Sequence, residues 1–299
     1  MIDEKNLNNQ QDKSIGDLLI EKDAKDEAEN LKIDELNLID QRSVEEITKI
    51  DEVEVNKYVL IIKDLFKSYG KKEVLKGLNL KVLPGEVFGF IGRNGVGKST
   101  TIDCIVGLKE YDSGDILVMG KDVKKEALET KSLFGYVPSE PTAYEMMTGN
   151  EYLQFIGSAY GMLQRSFKAN YEFLVKKFQM NSVDMNRRIS EYSHGMKQKI
   201  CLMASLIHNP SIWILDEPVV GLDIMIYEVL VKMIKDFATF GKTVFITSHS
   251  IDFVAKVCDR VAIVNNGQVE ELIDFNEEPF KRKDLGRIFF KIYDEGKIK

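Results

Sequence analysis

Eight consecutive residues, GRNGVGKS from Gly92 to Ser99, have the types and spacing needed to hold a chain of phosphates. Gly92, Gly95 and Gly97 let backbone N–H groups turn inward around phosphate oxygens. Lys98 supplies a point charge for β and γ phosphates, and the Ser99 hydroxyl can ligate Mg²⁺. Arg93, Asn94 and Val96 complete the loop and Thr100 follows it, so Gly92 through Thr100 form the candidate nucleotide-binding set. The apolar run VFGFI precedes the loop and a helical stretch, TTIDCIVGL, follows it. Phosphates held there would sit at a helix N-terminus.

A second group lies more than a hundred residues on. SIWILDEP, Ser211 to Pro218, is an apolar strand that ends in two carboxylates. Asp216 at the strand end is placed to hold a Mg²⁺ hydration shell, and Glu217 to polarise a water for attack on a γ-phosphate. TVFITSHS ends another apolar run with His249. Strand ends of a parallel sheet converge on the ligand, which makes His249 a candidate contact to the γ-phosphate and the attacking water. Between these groups stands YSHGM, Tyr192 to Met196, just before a helical stretch. Taken alone, Ser193 and His194 suit a nucleophile or a metal ligand on a loop. Ile200, Met203 and Ile207 give the following helix one apolar face, so its N-terminal amides and positive dipole end point outward behind Ser193 and Gly195.

These residues need a scaffold of buried strands. VLIIKDL, EVFGFIG, GDILVMG, FGYV, SIWILDE and TVFITSH are short runs rich in Val, Ile and Phe, as parallel or buried strands are. From Thr148 to Arg188 apolar residues recur three and four apart, which predicts helices. VAIVNNGQVEEL places Asn-Gly between two strand-like runs and predicts a hairpin. The order of strands, helical insert and strands predicts an α/β core with an inserted helical subdomain at about 140–190.

Residues 1–57 differ in texture. They hold 17 acids and 8 bases, a net of −9, and no aromatic residue, whereas the remaining chain has 31 acids and 33 bases, a net of +2. This composition suits disorder or a marginal solvated helix, with a boundary near residue 57. Ser43 and Glu46 have capping-box spacing, and Val44, Ile47 and Ile50 would share a helix face, so a docking helix is the other reading of the segment. Neither part carries the basic face of a nucleic-acid binder. No run has the length of a membrane span, and no apolar signal core opens the chain, so a cytosolic protein is expected. Cys104, Cys201 and Cys258 lack metal or disulfide spacing and are expected to be buried free thiols.

The order of these pieces resembles the ATP-binding cassette of ABC transporters over residues 58 to about 290. The resemblance implies an ABC-type ATPase core of the P-loop NTPase class, with an antiparallel β subdomain and an inserted helical subdomain. It implies ATP and Mg²⁺ as ligands, and Glu217 and His249 as catalytic groups. YSHGM then occupies the place of the family's signature, which caps the nucleotide held by a second cassette packed head to tail. Ser193 would hydrogen-bond that γ-phosphate, with Gly195 beside it. Tyr69 matches the aromatic that stacks on adenine. Gly221 to Asp223 matches the loop that touches the partner's site.

Two positions depart from the family's pattern. Ser139, followed by Glu140, stands where a Gln usually contacts Mg²⁺ and water, and Met196 replaces the signature's last Gln. Both look like the exporter branch that handles drugs, antibiotics and peptides. The resemblance further implies a separate transmembrane permease, docked at a groove around residues 139–165, which would hold the chain at the cytoplasmic face of the membrane. The second cassette would be a homodimer mate or a paralogous ATPase. The alternative is a soluble ABC-type ATPase of DNA repair or translation. Repair ATPases place long coiled coils between phosphate loop and signature, and translation factors carry two cassettes in one chain.

Overall fold

The structure, a computed structural model, describes residues 52–295 except 141, 220 and 221. Ser43, Val44, Glu46, Ile47, Ile50 and Gly221 lie outside the described residues.

The chain builds two sheets. A short helix α1 (Glu52–Lys57) leads into β1 (Leu60–Tyr69), which pairs antiparallel with β2 (Lys72–Val82) and with β4 (Ser113–Val118). β5 (Lys121–Asp122) completes an antiparallel sheet of order β2-β1-β4-β5. Val55 of α1 packs on Ile61 and Leu117 of this sheet.

The second sheet has the order β10-β9-β3-β8-β7-β6. Its strands are β3 (Val87–Ile91), β6 (Phe134–Val137), β7 (Ile212–Asp216), β8 (Thr243–Ser248), β9 (Arg260–Asn265) and β10 (Gln268–Asp274). All pairings are parallel except β9–β10. Every residue of β3, β7 and β8 is buried, which is why these strands read as unbroken apolar runs rather than alternating ones. The expected hairpin joins β9 to β10: Asn266 and Gly267 have φ of 49° and 79°, the two positive angles of a type I′ turn.

Helices cover the parallel sheet and form the insert. They are α2 (Lys98–Ile105), α3 (Ala127–Ser132), α4 (Gly149–Ala159), α5 (Gln164–Lys177), α6 (Ser182–Asn186), α7 (His194–Leu206), α8 (Ile224–Thr239), α9 (Ile251–Val257) and α10 (Lys281–Glu295). The insert is closed at its base, where Thr148 and Arg188 form an antiparallel bridge. Thr148 also starts α4 with a capping box to Glu151. Leu153, Leu174, Met185 and Ile189 of the insert share one apolar cluster with Ile200, Met203 and Ile207. All three of the latter are fully buried, as the predicted apolar face requires. Each such side chain contributes about 1.5–3 kcal/mol when buried, so the insert is packed onto α7 rather than tethered to it.

The register decides where the chemistry falls. Ile91 pairs with Ser248, and Asp216 pairs with Thr247. The C-terminal ends of three adjacent parallel strands, β3, β7 and β8, therefore release Gly92, Glu217 and His249 at one edge of the sheet.

Candidate active site

The phosphate loop leaves β3 at Ile91 and enters α2 at Lys98. Gly97 has φ of 111°, and a Cβ there would come within 2.7 Å of Leu75. The residue must therefore be glycine on both conformational and steric grounds. Its carbonyl accepts from the Thr101 N–H at 2.8 Å and from the Thr101 hydroxyl at 2.9 Å, which fixes the start of α2. Arg93, Asn94 and Gly95 are exposed at the loop, and Val96 and Thr100 are half-buried.

Lys98 is buried, and its ammonium donates to the carbonyls of Gly92 at 2.7 Å and Arg93 at 3.3 Å. Burial holds its pKa below the usual lysine value, opposed by the negative charges of Glu217 and Asp216. Asp216 is buried too, and burial raises its carboxyl pKa; hydrogen bonds from Thr247 and Ser99 pull the other way. The Thr247 hydroxyl donates to Asp216 Oδ1. Ser99 and Asp216 thus form a pair of hard oxygen donors, the type that suits Mg²⁺, which keeps several of its waters and uses only one or two protein ligands. Among the described residues no three His, Cys, Asp or Glu side chains gather to hold a metal by themselves.

Glu217 follows directly, at φ of 51°, beyond the end of β7. That left-handed turn places its carboxylate between two cations or potential cations. Lys98 Nζ stands 3.8 Å from Oε1, and His249 Nδ1 stands 2.9 Å from Oε2. The Ser248 hydroxyl and the His249 N–H also donate to Oε2, at 3.3 and 3.2 Å. The Glu217 side chain is 14 % exposed and that of His249 is 60 % exposed, so the imidazole forms the open wall of the site. Lys98, Ser99, Asp216, Glu217 and His249 are therefore brought together, as the sequence predicts.

The remaining candidates lie elsewhere in the chain. Ser193 is the N-cap of α7, and its hydroxyl oxygen accepts from the Met196 N–H at 3.3 Å. Among the described residues its hydrogen has no acceptor. Beside it, a Cβ added at Gly195 would meet nothing within 4 Å among the described residues, so no contact among them requires glycine there. Asp223 caps α8, accepting from the Ile226 N–H at 2.9 Å. Tyr69 ends β1 with 44 % of its surface exposed, and the ammonium groups of Lys67 and Lys109 lie 5.2 and 5.7 Å from its ring centre. The β2 residues Val74 and Leu75, which follow its turn, pack under Gly97. Ser139 and Glu140 are both exposed on the loop after β6.

Sequence reasoning missed Thr247 and Ser248, whose hydroxyls hold Asp216 and Glu217. Two hydroxyl residues at the end of an apolar run, next to His249, were the available signal. It also missed Tyr293, whose hydroxyl accepts from the Arg93 N–H, and no local pattern marks that residue.

Residues 75–220 match the family model described as ABC transporter. The chain is 36 % identical over 211 residues to the linearmycin resistance ATP-binding protein LnrL of Bacillus subtilis, covering 71 % of this chain and 68 % of that one. It is 36 % identical over 225 residues to the ABC transporter ATP-binding protein NatA of the same organism, covering 73 % and 91 %. A solved structure of an ATP-binding subunit of an ABC transporter superposes with a TM-score of 0.71 at 29 % identity, covering 76 % of this chain and 93 % of that one.

Proposed function

The chain belongs to the ABC transporter family, and on that premise we propose that it is the ATP-hydrolysing subunit that powers a separate membrane permease. The convergence of Lys98, Glu217 and His249 at the edge of the parallel sheet carries this reading.

The loop Gly92–Ser99 receives the phosphates of ATP, and Lys98 turns its ammonium from the loop carbonyls toward them. Ser99 and Asp216 would hold Mg²⁺, which would supply neutralising charge for the phosphates. Glu217 takes a proton from the attacking water. The water oxygen bonds to the γ-phosphorus as the bond to the β-phosphate oxygen breaks, and ADP and phosphate result. His249 and the Ser248 hydroxyl hold the carboxylate in place. Tyr69 stacks on the adenine.

A second cassette completes the site. Ser193 has a hydroxyl hydrogen to donate, and the space beside Gly195 is open. These features fit a γ-phosphate offered by a partner molecule at the N-terminus of the thirteen-residue helix α7. Asp223, at the start of α8, approaches the partner's site.

The permease docks beside the insert. Tyr144, Met146, Phe155, Tyr160 and Leu163 expose apolar surface there. Tyr144 stacks edge-on against Phe155, with ring centres 5.4 Å apart, which builds an apolar cluster for a coupling helix. Among the described residues no helix is long and apolar enough to cross a membrane. Binding to the permease would hold the chain at the cytoplasmic face. Similarity to a linearmycin resistance ATP-binding protein, together with Ser139 and Met196, supports export of a drug, antibiotic or peptide. The described residues between Lys98 and Ser193 form short helices and strands, not the coiled coil of a repair ATPase. The acidic N-terminal residues are dispensable for hydrolysis.

Affinity purification from detergent-solubilised membranes tests the transport part. A polytopic membrane protein should co-purify, and its addition should change the ATPase rate. Recovery of DNA-repair or ribosomal components in its place would overturn the reading.

A further inference from the structure

The phosphate loop is held from behind by a residue that lies two hundred positions downstream. Tyr293, on the last helix, is 6 % exposed, and its hydroxyl is used twice. It accepts from the Arg93 N–H at 2.9 Å and donates to the Val264 carbonyl at the end of β9. The guanidinium of Arg93 lies over the same ring, 4.6 Å from its centre. The fit is close. A Cβ at Gly92 would fall 3.0 Å from the Tyr293 hydroxyl and 2.7 Å from the Val264 carbonyl.

We propose that Tyr293 is a positioning residue for nucleotide binding, through which the C-terminal helix sets the shape of the phosphate loop's entry. The proposal rests on the ATP-binding reading above. Arg93 is pinned at both of its backbone polar groups. Tyr293 holds its N–H, and Lys98 Nζ holds its carbonyl at 3.3 Å. The carbonyls that hold the Lys98 ammonium are those of Arg93, which Tyr293 bonds, and of Gly92 just before it. With this strut in place, the loop presents its N–H groups already arranged for phosphate. Without it, the ligand must order the loop on arrival, and that cost falls on affinity rather than on turnover.

The helix itself is anchored independently of the hydroxyl. Leu285, Phe289 and Tyr293 recur every fourth residue and form its buried stripe. The Phe289 and Tyr293 rings lie 4.8 Å apart. Tyr293→Phe keeps the ring, the stripe and the guanidinium contact, and removes only the hydroxyl. It takes that partner from the part-buried Arg93 N–H and from the buried Val264 carbonyl, and the loss is costly for the buried one.

The test measures ATP dissociation constants with a fluorescent ATP analogue, steady-state KM and kcat, and melting temperature. The proteins are the full chain, Tyr293→Phe and the exposed neighbour variant Asp294→Ala. Tyr293→Phe should bind ATP about 5–10-fold more weakly, and KM should rise with it while kcat stays within about 2-fold. Asp294→Ala should bind like the wild type. Tyr293→Phe that binds like the wild type, whatever its melting temperature, overturns the proposal. So does a fall in kcat at unchanged KM. A wild-type chain that binds no ATP overturns the function reading itself and takes this inference with it.

Discussion

The Nδ1 atom of His249 stands 2.9 Å from Oε2 of Glu217, and the backbone N–H of the same histidine donates to that oxygen over 3.2 Å. One residue thus grips the carboxylate twice and leaves Oε1 turned toward Lys98. A carboxylate held this way has a fixed direction in which to accept a proton. Glu217→Gln preserves shape but cannot take that proton. Single-turnover hydrolysis should slow by roughly 10²-fold or more while ATP binding persists. His249→Ala removes the ring yet keeps the backbone N–H and the Ser248 hydroxyl, so its rate should fall by less than that of Glu217→Gln.

Ser139 lies exposed on the loop that follows β6. Its side chain is two bonds shorter than that of the Gln usual at this place in the family. Ser139→Gln should therefore raise the basal ATPase rate, measured in single turnover with and without the substitution. An unchanged rate would mean that Glu140 or a bound water already fills the role.

Much of this site was legible because its parts are local. Glycine spacing marked the phosphate loop, and fully buried strands showed as unbroken Val, Ile and Phe runs. Asn266-Gly267 marked the hairpin through the two positive φ angles it demands. Contacts between distant residues were not legible. Thr247 with Asp216 and Ser248 with Glu217 are each 31 residues apart, and Tyr293 reaches Arg93 across 200. Such pairs depend on sheet order and strand register, which no local pattern carries. The caps were half-legible. Ser193 was singled out for chemistry across an interface, yet within the chain its oxygen first serves to cap α7.

Cys104, Cys201 and Cys258 are buried and free. Burial pushes the thiol pKa of Cys104 and Cys201 up to about 11 and that of Cys258 higher still. Thiolate is the reactive form, so at pH 8 all three stay protonated and shielded. An aromatic disulfide reagent should find no fast-reacting thiol in the native protein and three after denaturation. Rapid native labelling would contradict this packing.

The acidic N-terminal residues should be dispensable for hydrolysis. A chain beginning at Glu52 keeps Val55, which packs on Ile61 and Leu117. It should retain the full-length ATPase rate and KM. Loss of activity in this shortened chain, with its fold intact by circular dichroism, would move the functional boundary toward the N-terminus.

The shared site is the central claim, and the Glu217→Gln chain tests it, because ATP stays unhydrolysed. Light scattering at high protein concentration should show the mass doubling with MgATP and remaining that of a monomer with ADP, since only the γ-phosphate bridges the loop of one molecule and Ser193 of the other. Adding Ser193→Arg places bulk and charge in that joint and should keep the protein monomeric with MgATP. A monomeric mass for Glu217→Gln in saturating MgATP, or doubling that persists with Ser193→Arg, would contradict the account.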